Sequence, residues 1–304
     1  MCASLCGVYF YSIKKSSTAH SSTPNAVSPN TVSQTILPNI ASQNIISQTT
    51  IFPNIASQNI ISQTTIFPNI VSQNTALNSI SPISILNNDP TLFLYYTFGP
   101  NTINGTNVGN TINGSLINNA QIVNGAAIST TDFVVGTASM QFVAASSQYI
   151  QINPFTTLNN GITFLFWCKV NNTGNWSRIF DFGNGANVQN ILIGFPNNQL
   201  WCGIHNSSGA TDTPLYTEII NDNVWRHFTW IINPDGAYVI YVNGIFYKNI
   251  GIVRYPDNVV RNNNYLGKSN WNQDVYLNGA IDDFRMYNRV LSAIEILTIF
   301  SNKN

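Results

Sequence analysis

The chain is poor in charge. Of its 304 residues, 8% are Asp, Glu, Lys or Arg, and they sum to zero. That balance excludes the basic footprint of a nucleic-acid binder or of a protein held electrostatically on an anionic membrane. Acid–base groups are scarce as well: two glutamates, Glu218 and Glu295, and three histidines, His20, His205 and His227. The four cysteines, Cys2, Cys6, Cys168 and Cys202, contain no CxxC pair, which removes the zinc and thioredoxin-type readings. Cys168 and Cys202 lie in strand-like runs, suited either to buried thiols or, in an oxidising compartment, to a bridge. No apolar run is long enough to span a bilayer, which takes roughly 20 residues. The start, MCASLCGVYFYSIKK, carries Lys14 and Lys15 after its apolar stretch, whereas a signal peptide carries its charge before it. Residues 1–15 are therefore read as a short apolar N-terminus without structure, a targeting segment being the alternative.

What is abundant is asparagine, with 46 residues, a bias that AT-rich genomes such as those of large DNA viruses or protists produce. Residues 16–88 contain no Asp, Glu, Lys or Arg. Within them PNIASQNIISQTTIF, from Pro38 to Phe52, recurs unchanged from Pro53 to Phe67, and a third copy begins at Pro68. A proline every fifteen residues breaks helices and disfavours interior strands. The segment reads as a low-complexity repeat stalk or linker, disordered. An ordered fibre shaft, through which chains could oligomerise, is the alternative.

From Asp89 to Asn304 the texture changes. Short alternating or aromatic runs such as ITFLFWCKV, LWCGIH, WRHFTWII and AYVIYVNG are divided by Asn, Gly and Pro. In ITFLFWCKV, Phe164, Phe166 and Cys168 share one strand face and Leu165, Trp167 and Lys169 the other. The stretches Pro234–Gly236 and Asn243-Gly244 are hairpin turns by their chemistry. One helix is predicted at the end, opened by a capping box from Ser292 to Glu295. A dozen short strands and one helix predict an all-β fold, an antiparallel two-sheet jelly-roll sandwich.

The order of GTASMQFVAASSQYIQI (136–152), GITFLFWCKV (161–170), RIFDFGNG (178–185), VWRHFTWII (224–232), YVNG (241–244) and YLGKS (265–269) resembles the laminin G-like (LamG) jelly roll. That domain belongs to the concanavalin A-like lectin/glucanase superfamily. The ending GAIDDFRMYNRVLSAIEI, 279–296, matches that family's last strand and following helix. The resemblance implies a concanavalin A-like sandwich over residues 89–304. It also implies calcium on the last-strand acid, Asp282, although the first-strand loop TNVGN (106–110) has Asn107 where the family carries an acid. Asp181 is a second candidate oxygen, read as structural. By strict alternation Asp282 and Asp283 would face opposite ways, and Asp283 with Arg285 would form a surface pair.

Glycoside hydrolysis needs two carboxylates across the scissile bond. The paired glutamates of the family's glucanase branch are missing, so a degenerate glycosidase is a remote reading and no catalytic residue is assigned. His227 matches a structural strand position. Trp167, Trp225 and Trp230 lie in strand runs and are read as core. Trp176 and Trp271 instead lie among asparagines in loop-like sequence, where an aromatic face and planar amides suit a sugar ring. The candidate ligand-binding residues are Trp176, Asn175, Trp271, Asn270 and Asn272. The expected function is non-enzymatic recognition of a glycan or glycosylated surface protein, outside the cell or on a virion surface. The alternative is a structural or protein–protein module such as a virion fibre component.

Overall fold

The computed structural model describes residues 81–112, 115–171 and 175–304. Residues 1–80, with the short N-terminus and all of the 16–88 repeat segment but its last eight residues, lie outside them. Two antiparallel sheets form the body. Sheet A runs, in spatial order, through Ile245–Ile252, Ala237–Val242, Arg226–Ile232, Ile162–Val170, Gly279–Tyr287, Ser139–Phe142 and Ala127–Ser129, with Leu92–Tyr96 also paired to Gly279–Tyr287. Sheet B runs through Gly209–Tyr216, Leu200–Asn206, Ile191–Phe195, Ser177–Gly183, Asn263–Leu266, Tyr149–Ile152, Ser115–Val123, Asn107–Ile112 and Ile103–Asn104. Spatial neighbours come from distant parts of the chain, which gives the jelly-roll order expected from the sequence.

The alternation of Ile162–Val170 is realised as read. Phe164, Phe166 and Cys168 enter the core between the sheets, while Leu165 packs in a second cluster on the outer face of sheet A. The core is aromatic: Phe180 lies 4.8 Å from Phe164, 4.7 Å from Phe182 and 5.6 Å from Phe284, centroid to centroid. Cys168 and Cys202 are buried free thiols, and burial pushes both upward from the usual thiol range. Asn243 and Gly244 both take positive φ, 50° and 75°, as a type I′ hairpin requires, and join Ala237–Val242 to Ile245–Ile252.

Two helices cover the outer face of sheet A. Helix α2, Ala293–Ser301, opens on the complete capping box: Ser292 Oγ accepts from the Glu295 amide, and Glu295 Oε2 accepts from the Ser292 amide at 2.7 Å. Helix α1, Pro82–Asn87, falls in the stretch assigned above to the repeats and was not expected. Its Leu86 is buried with Tyr95, Leu165, Tyr287, Ile296 and Ile299.

The charges near the C-terminus join these pieces. Gly279–Tyr287 does not alternate strictly, because a bulge at Asp283, with φ of 48°, slips the register between Asp282 and Arg285. Ile281, Phe284 and Met286 all enter the core as a result, and both Asp282 and Asp283 fall on the outer face. The expectation of opposite faces fails for that reason. The Asp283–Arg285 pair is fully buried rather than superficial: Arg285 donates Nε to Oδ2 at 3.0 Å and Nη2 to Oδ1 at 2.9 Å. Its Nη1 also donates to Asn87 Oδ1 of α1 at 2.7 Å. Arg289 bridges Asp89 at 2.5 Å and Glu295 at 2.7 Å. These are ties between helices and sheet, so the run is scaffold.

Of the tryptophans read as core, Trp230 is fully buried between the sheets. Trp167 is buried on the outer face of sheet A, stacked on Phe300 of α2. Trp225 is only half-buried, its Nε1 donating to Asp132 Oδ1 at 2.9 Å. His227 is buried and burial lowers it to about 3, so it is a neutral packing residue.

Candidate ligand pocket

A pocket of about 200 Å³ opens on the outer face of sheet B. Trp176, Arg178, Asn187, Leu192, His205, Asp212, Trp271, Gln273 and Asp274 line it. Trp176 directly precedes the strand Ser177–Gly183 and has φ of 59°. The left-handed region costs a side-chain-bearing residue about 1–2 kcal/mol, so its place there is held by the surroundings. Two positions on, the Arg178 guanidinium lies 5.0 Å from the Trp176 ring and 5.3 Å from the Trp271 ring. The two indoles that sequence places 95 positions apart are thereby gathered around one cation.

Strand-interior glycines make room for the polar side chains. Gly194 is the cross-strand partner of Arg178, and a Cβ there would stand 2.9 Å from Nη1 and 3.1 Å from Cδ. Gly203 is the partner of Asp212, and a Cβ there would overlap the Asp212 carboxylate. Each arginine or aspartate can therefore lie across the neighbouring strand. Glycine inside a strand often marks such a close approach.

The opposite wall is the 267–278 loop. Buried Asp181 holds it, accepting from the Asn270 amide N–H and side-chain Nδ2, both at 2.9 Å, and from Asn190 Nδ2 at 2.9 Å. Burial raises the Asp181 carboxyl against the pull of Arg178 and these donors. Asp274 accepts from Arg178 Nη2 at 3.0 Å and Ser269 Oγ at 2.7 Å, and the Trp271 amide donates to Ser269 Oγ at 3.1 Å. His205 Nε2 sits 3.1 Å from Asp212 Oδ1, and its ring meets Trp271 edge-on at 5.3 Å. His205 Nδ1 is buried without a hydrogen-bond partner among the described residues.

Of the residues singled out from sequence, Trp176 and Trp271 stand in one pocket, both half-buried. Asn175 and Asn272 are exposed beside them. Asn270 is turned inward, its Nδ2 donating to Asp181 and to the Asn263 carbonyl. Arg178, His205, Asp212 and Asp274 were missed, since they come from three strands and a loop. The readable signal was the pair of glycines in ILIGF and LWCGIH.

Asp282 is remote from this arrangement. Its Oδ2 accepts from the Val134 and Val135 amides at 2.7 and 2.9 Å, and its Oδ1 is buried with no hydrogen-bond partner among the described residues. Burial is the main reason its carboxyl rises to about 7. Calcium takes six to eight hard oxygens. Here two amide N–H groups occupy one oxygen, no cluster of three acids, histidines or cysteines exists among the described residues, and Asn107 lies in the other sheet. These residues do not fit calcium. Asp181, bonded to amides on both oxygens, has the structural role expected of it.

Fold and site together define a two-sheet jelly roll with an aromatic, polar-lined pocket on one sheet face. The laminin G-type family model of the concanavalin A-like lectin/glucanases superfamily matches residues 144–297, and the chain belongs to that superfamily. No curated protein sequence matches it. Among solved structures, domain 4 of AbnA, an extracellular arabinanase from Geobacillus stearothermophilus bound to arabinotriose, is 20% identical with a TM-score of 0.51. That match covers 69% of this chain and 98% of the domain. The binding domain of Paraclostridial Mosquitocidal Protein 1 is 17% identical with a TM-score of 0.50, over 69% of this chain and 52% of that one. The binding domain of botulinum neurotoxin DC, in complex with SialylT, is 15% identical with a TM-score of 0.50, over 69% and 51%. The chain spans about half the length of these toxin domains, and at such identities the likeness is one of fold.

Proposed function

We propose that the protein is a non-catalytic glycan-recognition module whose ligand sits between Trp176 and Trp271. The observation that carries this is the gathering of two half-buried indoles with Arg178, His205, Asp212 and Asp274 in one open pocket. Indole faces pack on the C–H face of a sugar ring, and convergent polar groups fix its hydroxyls. Its volume, about 200 Å³, is below the roughly 300–1,000 Å³ of pockets for drug-sized ligands, which suits one ring of a longer glycan. The strained backbone of Trp176 fits the same reading, because such strain collects at ligand sites.

A hydrolase using paired glutamates is disfavoured by what the two glutamates already do. Glu295 caps α2 and pairs with Arg289, and Glu218 accepts from the Tyr216 hydroxyl at 2.7 Å. The solved neighbours named with arabinotriose and SialylT lend support of the same kind. The fitting partner is a glycan or glycosylated surface protein, and the fitting place is a cell exterior or virion surface.

The test is a glycan array probed with the full chain and with Trp271→Ala. Binding lost in the variant supports the reading, and binding of equal strength in both removes the pocket from it. A second reading, a protein–protein module, rests on the sheet A edge strand, where Ile245, Phe246 and Ile252 are 70%, 56% and 75% exposed. It expects an associating chain that Phe246→Lys returns to monomer, measured by light scattering.

A further inference from the structure

The charges of the pocket narrow the ligand class, an argument that rests on the glycan-binding reading above. Arg178 is the one lysine or arginine among the lining residues, and it is engaged on several sides. Nη2 donates to Asp274, Nη1 donates to the Trp176 carbonyl, and Nε lies 3.6 Å from Asp181. Its side chain is 3% exposed. A guanidinium so covered does not offer the open fork that clamps a carboxylate.

The acids are more accessible. Asp212 is 31% exposed and Asp274 11%. Acidic groups lining the pocket thus outnumber the one guanidinium by two to one, before Asp181 beneath the loop is counted. Two further described cations, Lys268 and Arg254, are engaged elsewhere. Lys268 stacks over Tyr149 and Tyr265, at 4.6 and 4.3 Å, and Arg254 donates to Thr211 and Asn206. Carboxylates accept hydrogen bonds from sugar hydroxyls through two oxygens, and they repel a second anion in a partly desolvated site. The Nδ1 of buried His205 adds a polar atom that no group among the described residues satisfies.

We infer that the pocket takes the hydroxylated ring of a neutral sugar and rejects rings bearing a carboxylate or sulfate, with Asp212 and Asp274 setting that choice. The full chain is applied to an array carrying lactose and arabinotriose beside sialyllactose, a glucuronate-ended disaccharide and sulfated lactose. The expected result is binding to a neutral glycan that Trp271→Ala abolishes, with anionic glycans weaker by about tenfold or more. Asp212→Asn keeps the side-chain shape and an oxygen for His205, and it should bring the anionic signals up toward the neutral ones. Near-ultraviolet circular dichroism confirms that each variant is folded. Trp271-dependent binding of an anionic glycan at or above the neutral level would overturn the inference while leaving glycan recognition in place. Anionic binding that survives Trp271→Ala, or no glycan bound at all, would overturn both.

Discussion

The two outer faces of the sandwich use charge in opposite ways. On sheet A, helices α1 and α2 close over the strands, and Asp283 and Arg285 beneath them and Asp282 against the Val134 and Val135 amides are sealed, each at 0% exposure. On sheet B no helix among the described residues lies across the Trp176 pocket, and Asp212 and Asp274 keep contact with solvent. Both faces pair arginine with aspartate. What differs is the covering: a sealed pair fixes one arrangement of the chain, while an open one leaves groups for a ligand. The charge-rich C-terminal run therefore belongs to the scaffold, and the candidate pocket lies on the other face.

The comparison breaks first at Arg285. Arg285→Ala leaves Asp283 buried without its partner, and urea unfolding should register a loss of about 3–5 kcal/mol. A loss under about 1 kcal/mol would mean that the sheet A face is wetter than described.

Asp282 sharpens the same face through pH. Burial lifts its carboxyl from 3.8 to about 7, so between those values the folded chain holds a proton that the unfolded chain has released. Its contribution to stability accordingly falls as pH rises through that window and is level above it. Asp282→Asn removes the titration and should gain on the wild type from about pH 4 to pH 7, by at most about 4 kcal/mol. Matching denaturation series for both proteins measure this. Calcium should leave the melting temperature unchanged, whereas a rise abolished in Asp282→Asn would restore a metal site there.

Ser292→Ala removes half of the capping box over sheet A and should cost about 1 kcal/mol, read by the same unfolding curves, with no effect on glycan binding. On the open face the expectation reverses. Trp176→Gly relieves a left-handed backbone but loses stacking on Arg178, so stability should move by less than about 1 kcal/mol. Binding should nonetheless be lost, and a large drop in stability with binding retained would make Trp176 a packing residue.

Much of this was legible along the chain. Alternation placed Phe164, Phe166 and Cys168 inside and Leu165 outside, Asn243-Gly244 made its hairpin, and Ser292 with Glu295 capped α2. These are local matters of side-chain period and turn chemistry. Trp176 and Trp271 were singled out for the same reason, since loop position is visible from the asparagines around them. The bulge at Asp283 was not legible, because nothing in DDFR marks where a ladder will slip, and it reversed the facing of an acid. Arg178, His205, Asp212 and Asp274 were equally hidden, because their meeting depends on strand order.

By itself, then, the sequence determined an all-β sandwich, its hairpins, its closing helix and the two tryptophans outside the strand runs. Each follows from interactions among residues a few positions apart. Only the tertiary structure decided that those tryptophans share a pocket, that Gly194 and Gly203 open it, and that the C-terminal acids are sealed away from it. Cross-strand register and layer packing join residues scores of positions apart, and a one-residue slip changes which face each side chain meets.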